Sequence, residues 1–303
     1  MSKVKSYLSL IKFSHTIFAM PFALIGFFLG IVDKTSVNPE WKKIIFPLQF
    51  DRNSLSSKFL LVIGCMIFAR SAAMAFNRYL DRQYDAKNPR TAIREIPAGV
   101  ISANNALLFT ILSSLLFIGC TFFINRLCFF LSPVALIVVL GYSYTKRFTP
   151  LCHLILGLGL SLAPIGAYLS VTGQFAMLPL LFSMAVIFWV SGFDIIYALQ
   201  DEEFDKSQKL FSIPAWLGKV KALRISELLH LLSAAAVMIA GYYGNFSWLY
   251  WIGAAVFVIM LGYQHSVVKP SDLRKVNLAF MTANGIASVV FAIFVIADLV
   301  INF

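Results

Sequence analysis

Residues 103–124 read ANNALLFTILSSLLFIGCTFFI, a run without one charged side chain. The hydrocarbon core of a bilayer is about 30 Å thick, and roughly 20 apolar residues in a helix span it. The run is not isolated. From Ala103 to Phe193 the only charges are Arg126, Lys146 and Arg147. Reading outward for similar stretches gives nine: 14–33, 58–77, 103–124, 127–145, 152–171, 176–199, 223–243, 246–264 and 277–301. The first is too long for a signal-sequence core and carries Pro21, so it counts as a span. Backbone groups in lipid must bond internally, which selects helices over open sheets. The expected fold is therefore all-α: a polytopic membrane protein of about nine transmembrane helices. No linker or low-complexity segment divides the chain, so residues 1–303 are read as one domain.

Composition agrees. The chain of 303 residues is 59% apolar and 13% charged, with a mean hydropathy of +0.81. Soluble domains average roughly 45–50% apolar and about 25% charged. A soluble fold this poor in charge would leave large apolar patches facing water. Disordered, collagenous and disulfide-stapled classes are excluded with it. Cys65, Cys120, Cys128 and Cys152 sit in apolar runs without paired spacing and read as small buried hydrophobes. There is no Gly-rich phosphate loop, His/Cys metal cluster or Ser/His/Asp pattern. The net charge of +11 does not point to nucleic acid, because no basic block alternates with aromatics. The lipid bilayer and a phosphorylated substrate are the expected partners of that excess.

Lysine and arginine set the orientation. With the N-terminus in the cytoplasm, 18 basic residues fall in inside segments, 6 fall outside, and Arg70 lies within a span. That bias places the protein in the cytoplasmic (inner) membrane with its N-terminus inside and, after nine spans, its C-terminus outside. The 34–57 loop with the adjoining Lys58 is the exception, holding five of the six outside basic residues.

The acidic residues are concentrated. Eight of 14 (Asp81, Asp85, Glu95, Asp194, Asp201, Glu202, Glu203 and Asp205) fall in two short zones. Where the second span reaches the cytoplasm the chain reads Asn77-Arg-Tyr-Leu-Asp81-Arg-Gln-Tyr-Asp85. Where the sixth does so it reads Asp194-Ile-Ile-Tyr197-Ala-Leu-Gln-Asp201-Glu-Glu-Phe-Asp205. Four-residue steps put Asn77, Asp81 and Asp85 along one helix face, and the same rule puts Asp194, Asp201 and Asp205 near one face. Two such faces at one depth would meet across a cavity, where their carboxylates repel unless a cation joins them. Hard oxygen ligands at this density suit Mg²⁺, which keeps positions for water and substrate phosphate. Boundary charges paired with Arg78 and Arg82 are the plainer reading of either motif alone. Asp194 argues against it, because it sits inside an apolar run, where a carboxylate is costly unless it lines a polar cavity. Arg90, Arg94, Lys146 and Arg147 read singly as topology signals, and beside a metal–carboxylate cluster as diphosphate or carboxylate clamps.

With these motifs the chain resembles the UbiA superfamily of intramembrane aromatic prenyltransferases. Asn77, Asp81 and Asp85 match the family's first motif. Arg90-Thr91, Arg94 and Pro97-Ala98-Gly99 match the segment that follows it. Tyr142, Lys146 and Arg147 match its Tyr-x-x-x-Lys-Arg loop, and Asp194, Tyr197, Ala198, Asp201 and Asp205 match its second motif. The resemblance covers essentially the whole chain and looks closest to the 4-hydroxybenzoate polyprenyltransferases and their menaquinone-pathway relatives. Two departures, Phe211-Ser212 after the second motif and Lys12-Phe-Ser-His15-Thr in the first span, look more like the branch that takes dihydroxynaphthoate in the futalosine route.

The resemblance implies helices around a central cavity open to the cytoplasm, Mg²⁺, a polyprenyl diphosphate donor and an aromatic acid acceptor. Its activity would be that of a polyprenyltransferase in ubiquinone or menaquinone synthesis. The implied metal ligands are Asn77, Asp81, Asp85, Asp201 and Asp205. Arg90, Arg94, Tyr142, Lys146, Arg147 and Ser212 are the implied diphosphate or substrate contacts. Asp194, with Tyr197, is the candidate to orient the acceptor's hydroxyl or take a proton, and a metal-shell role fits Asp194 as well. The 29 Phe residues are compatible with the walls of a prenyl pocket. A cation-coupled transporter is the competing class, since intramembrane carboxylates also mark ion pathways.

Overall fold

A computed structural model describes residues 3–11, 19–37 and 54–302. Regular structure among them is helical, apart from one isolated bridge between Lys269 and Asp272. The helices are α1 (Lys3–Leu10), α2 (Met20–Val37), α3 (Leu55–Lys87), α4 (Ala103–Ile124), α5 (Arg126–Thr145), α6 (Cys152–Thr172), α7 (Met177–Ala198), α8 (Glu202–Ser207), α9 (Ile213–Tyr243), α10 (Trp248–Val267) and α11 (Asn284–Asn302). A 3₁₀ turn, Leu199–Asp201, joins α7 to α8, and a π turn, Leu278–Ala283, leads into α11.

Among the described residues eight helical stretches are long and apolar enough to cross a membrane. The remaining expected span, 14–33, coincides with α2, which is apolar over Met20–Asp33. Its residues 14–18, with Lys12 and His15, lie outside the described residues, as does most of the 34–57 loop. The chain is a multi-pass membrane protein.

Side-chain caps fix the ends of several spans. Ser54 Oγ accepts from the Ser57 N–H at 3.2 Å, and Ser102 Oγ from the Asn105 N–H at 3.2 Å. Asn125 closes α4 and opens α5: its N–H bonds Thr121 O at 3.3 Å, and its Oδ1 accepts from the Cys128 N–H at 2.8 Å. Each cap occupies a backbone group that would otherwise be unpaired at a membrane boundary.

Two helices depart from the expected spans. Helix α3 is 33 residues long, about 50 Å, so it projects beyond the bilayer core and carries the first acidic motif on one unbroken cylinder. Helix α9 starts ten residues before the expected 223, and Gly218 (φ 76°, ψ 166°) breaks it. Only glycine reaches that φ at low cost, so Ile213–Leu217 forms a separate turn that leads into the span.

An aromatic core ties α2, α7, α10 and α11 together. The Phe22 ring lies 5.3 Å from Trp189, 6.2 Å from Phe257 and 5.9 Å from Phe291. Trp189 Nε1 and Gln264 Nε2 both donate to Asn284 Oδ1, at 2.8 and 2.9 Å, which gives these buried N–H groups an acceptor. With that side solid, open space is left between α3, α5, α6 and α7.

Candidate active site

A cavity of about 580 Å³ lies at the end of the bundle where α3, α5 and α7 finish. The unbroken α3 keeps Asn77, Asp81 and Asp85 in phase, and all three line it. Asp194, Tyr197, Asp201 and Asp205 line it from the other side. The expectation that one helix face carries Asp194, Asp201 and Asp205 is corrected. The 3₁₀ turn Leu199–Asp201 advances about 120° per residue rather than about 100°, so Asp205 is presented from the separate short helix α8.

Cations join the carboxylates, and they are side chains. Asp201 accepts from Arg90 Nε at Oδ1 (3.0 Å), pairs with Arg90 Nη2 at Oδ2, and also takes Asn88 Nδ2 at 3.1 Å. Arg94 Nη1 is 2.6 Å from Asp85 Oδ1, and Lys146 Nζ is 2.7 Å from Asp205 Oδ1. Arg147 Nη2 is 3.4 Å from Asp81 Oδ1 and donates to Leu80 O at 2.9 Å. Asn77 Nδ2 donates to Asp81 Oδ2 at 3.0 Å. Among the described residues no three His, Cys, Asp or Glu side chains converge on one metal position. Each aspartate expected to hold metal is paired with a cation expected to hold diphosphate.

Local structure explains these pairings. Asn88 Oδ1 accepts from the Arg90 N–H at 3.0 Å, and Thr91 Oγ1 donates to Asp85 O at 3.1 Å, turning the chain back over the end of α3. The Phe211 N–H donates to Lys146 O at 2.7 Å, which pins the α5–α6 turn to the start of α9. Ser212 does not line the cavity. Its hydroxyl donates to Asp205 Oδ2 at 2.9 Å while its oxygen caps α9 through the Ala215 N–H. Burial works to lower the pKa of Lys146, but the Asp205 carboxylate overrides it and holds the amine above the ordinary lysine range. Burial likewise opposes the charge on Arg90, and Asp201 more than restores it.

Three neighbours were not singled out by motif. His153 Nδ1 lies 2.7 Å from Asp194 Oδ2. Arg78 is buried, with Nη1 4.0 Å from Asp85 Oδ2. Arg70, a lone charge inside a span, lines the cavity two turns deeper than Asn77, and its Nε has no hydrogen-bond partner. Arg70's position in an apolar run was the signal that could have marked it. His153 carried none.

Beyond Arg70 lies a second, apolar space of about 360 Å³ between α3, α4, α5 and α6. Arg70, Met74, Tyr142, Leu156 and Leu160 border both. The four cysteines are free, and Cys65 and Cys128 line the apolar space.

The fold and chamber define a membrane-embedded helical bundle with a densely charged mouth and a greasy interior. The chain belongs to the UbiA prenyltransferase family, whose model matches residues 47–286. It is a prenyltransferase, which sets the transporter reading aside. The 4-hydroxybenzoate octaprenyltransferase of Xylella fastidiosa (strain M12) is 29% identical over 223 residues, covering 74% of each chain. That of Francisella tularensis subsp. tularensis (strain WY96-3418) is 28% identical over 244 residues, covering 80% of this chain and 84% of its own. The apo structure of a UbiA homolog from Aeropyrum pernix K1 superposes with a TM-score of 0.76 at 26% identity, over 95% of this chain and 98% of that one. A UbiA homolog from Archaeoglobus fulgidus, bound to DMAPP and Mg²⁺, superposes with a TM-score of 0.72 at 21% identity, over 98% and 99%.

Proposed function

We propose that the protein transfers a polyprenyl group from polyprenyl diphosphate to a ring carbon of a hydroxylated aromatic acid of the 4-hydroxybenzoate type, in quinone synthesis. The observation that carries this reading is one charged chamber, lined from two sides by paired aspartates, that shares a wall with an apolar space. The names of the bacterial relatives support the acceptor, and the archaeal homolog bound to DMAPP and Mg²⁺ supports the donor and metal.

The donor set fits Mg²⁺. Asp81, Asp85, Asp201 and Asp205, with the Asn77 amide, offer hard oxygens only, and Asp85 Oδ2 is buried without a hydrogen bond. When bound, Mg²⁺ supplies positive charge against the diphosphate that leaves. Arg90, Arg94, Lys146 and Arg147 then turn from the aspartates to the diphosphate oxygens, with Tyr142 beside them, and stabilise the departing anion. Ser212 holds the Asp205 carboxylate in place. The apolar space takes the prenyl tail and keeps water from the allylic cation. Arg70, which has no ion pair among the described residues, lies between the two spaces, placed to receive the carboxylate of the aromatic acid. Asp194 and Tyr197 face the acceptor's hydroxyl. The mouth faces the cytoplasm of the inner membrane, in line with the basic inside segments.

The test is product formation. Membranes bearing the protein receive Mg²⁺, labelled polyprenyl diphosphate and either 4-hydroxybenzoate or dihydroxynaphthoate, and product mass is read. The first acid should yield the prenylated product. Product from dihydroxynaphthoate alone reassigns the acceptor and agrees with the Phe211-Ser212 departure. EDTA and either Asp81→Asn or Asp201→Asn should each reduce the rate at least about 100-fold. An unchanged rate in folded variants would sink the metal assignment.

A further inference from the structure

Asp194 differs from the four aspartates around it in what holds it. They pair with arginine or lysine at the mouth, whereas Asp194 pairs with an imidazole from behind. Both residues border the chamber, but the Asp194 side chain is 23% exposed and that of His153 only 3%.

His153 is fixed from several sides. Its Nε2 accepts from the Ile213 N–H at 3.4 Å, so the proton sits on Nδ1 and is donated to Asp194 Oδ2. Its backbone carbonyl accepts from the Ser191 hydroxyl at 3.1 Å. One turn on, Gly157 lets α6 approach α7 closely, since a Cβ there would meet Ile187 O and Ser191 Oγ at 2.5 Å. Three elements, α6, α7 and the start of α9, thus converge on one ring, whose Nδ1 is directed at the Asp194 carboxylate.

We infer that His153 is the positioning residue for Asp194, fixing that carboxylate as the acceptor of the proton released from the aromatic ring. The inference rests on the acceptor reading proposed above. The new bond joins the allylic carbon of the donor to a ring carbon ortho to the hydroxyl, and the diphosphate departs with the electrons of the broken C–O bond. The ring carbon then carries both its hydrogen and the prenyl group. Its C–H electron pair returns to the ring, and the proton passes to Asp194. With Oδ2 occupied by the His153 Nδ1–H, the Oδ1 atom is the one presented to the ring. Orientation by a buried second group is what makes such a base effective.

The test uses the whole protein in membranes with Mg²⁺, the prenyl diphosphate and the aromatic acid, and follows two readouts. One is prenylated aromatic product. The other is diphosphate released without acceptor, which reports donor ionisation alone. His153→Ala should lower kcat for aromatic product about 100-fold. Its donor KM should stay within about twofold, and acceptor-free diphosphate release should be unchanged. His153→Gln, which can return an N–H to Asp194, should recover about tenfold of that loss. Wild-type kcat in His153→Ala overturns the inference. So does a parallel fall in both readouts with no recovery in His153→Gln, the mark of a packing role. A wild-type protein that releases diphosphate yet prenylates no aromatic acid overturns the acceptor reading, and the inference with it.

Discussion

Lys146 Nζ lies 2.7 Å from Asp205 Oδ1, and Asp205 Oδ2 accepts from the Ser212 hydroxyl at 2.9 Å. On the proposed reading, a residue that would grip diphosphate is thus held by one that would grip metal. The same exchange recurs at Arg90–Asp201, Arg94–Asp85 and Arg147–Asp81. Diphosphate arriving alone would strip cations from carboxylates and leave the carboxylates unpaired in a partly buried site. Metal arriving alone would strand the cations. Together, each ligand takes the partners that the other releases.

Diphosphate and Mg²⁺ are therefore expected to bind with positive coupling, each raising the other's affinity by the same factor. Thermal shift in detergent measures it. The rise in Tm with geranyl diphosphate and Mg²⁺ together should exceed the sum of the rises with each alone. Additive shifts would show that the ion pairs do not couple the two ligands.

The Lys146–Asp205 pair also makes a statement about pH. Lys146 has a pKa raised above the ordinary lysine value of 10.5. Its contribution to stability is complete below that value and is lost only as pH rises through the higher, folded-state pKa. Lys146→Met should accordingly lower stability by the same amount at about pH 7 and about pH 9. The loss should be about 2 kcal/mol, less than the roughly 3–5 of a fully buried pair, because the Lys146 side chain is 34% exposed. Chemical unfolding at both pH values checks it. A loss confined to the lower pH would mean that Lys146 titrates in the neutral range.

Arg70 sits without an ion pair among the described residues, at the junction of the charged and apolar spaces. Leaving a guanidinium unpaired inside a span is costly, and an anionic substrate would offset that cost. Arg70→Met should raise KM for the aromatic acid by about 10–100-fold, the worth of one charge-assisted contact, and leave KM for the donor unchanged. Stability should hold or rise, since the variant removes an uncompensated charge. Equal increases in both KM values would place Arg70 on the donor instead.

The sequence is legible where one physical rule acts alone. The spans stand out because lipid admits only long apolar helices. Asn77, Asp81 and Asp85 keep their four-residue phase because α3 is unbroken. The phase of Asp194, Asp201 and Asp205 was not legible, because the 3₁₀ turn Leu199–Asp201 interrupts the α-helical phase and the spacing of the aspartates does not announce it. The ion pairs were hidden for a related reason. Arg90 and Asp201 are 111 positions apart, and many pairings of the same charges satisfy the sequence. His153 reads as one more residue in an apolar run until α6 and α7 are brought together.

Chain-length preference should reside in the apolar space, and Gly159 is the place to probe it. Gly159 lines that space on α6, and a Cβ built there meets Val139 Cγ1 at 3.7 Å, an ordinary contact. Helix–helix distance therefore need not change when a side chain is added, and a leucine would extend into the open volume. Gly159→Leu should leave turnover of geranyl diphosphate within about twofold and reduce that of a long polyprenyl diphosphate at least tenfold, about the penalty for displacing one or two methylenes from a tight apolar pocket. The discriminating measurement is the ratio of kcat/KM for the two donors, which cancels any general loss of folded protein. If both donors lose equally, the tail lies elsewhere, and the space between α3 and α6 is only loose contact between spans.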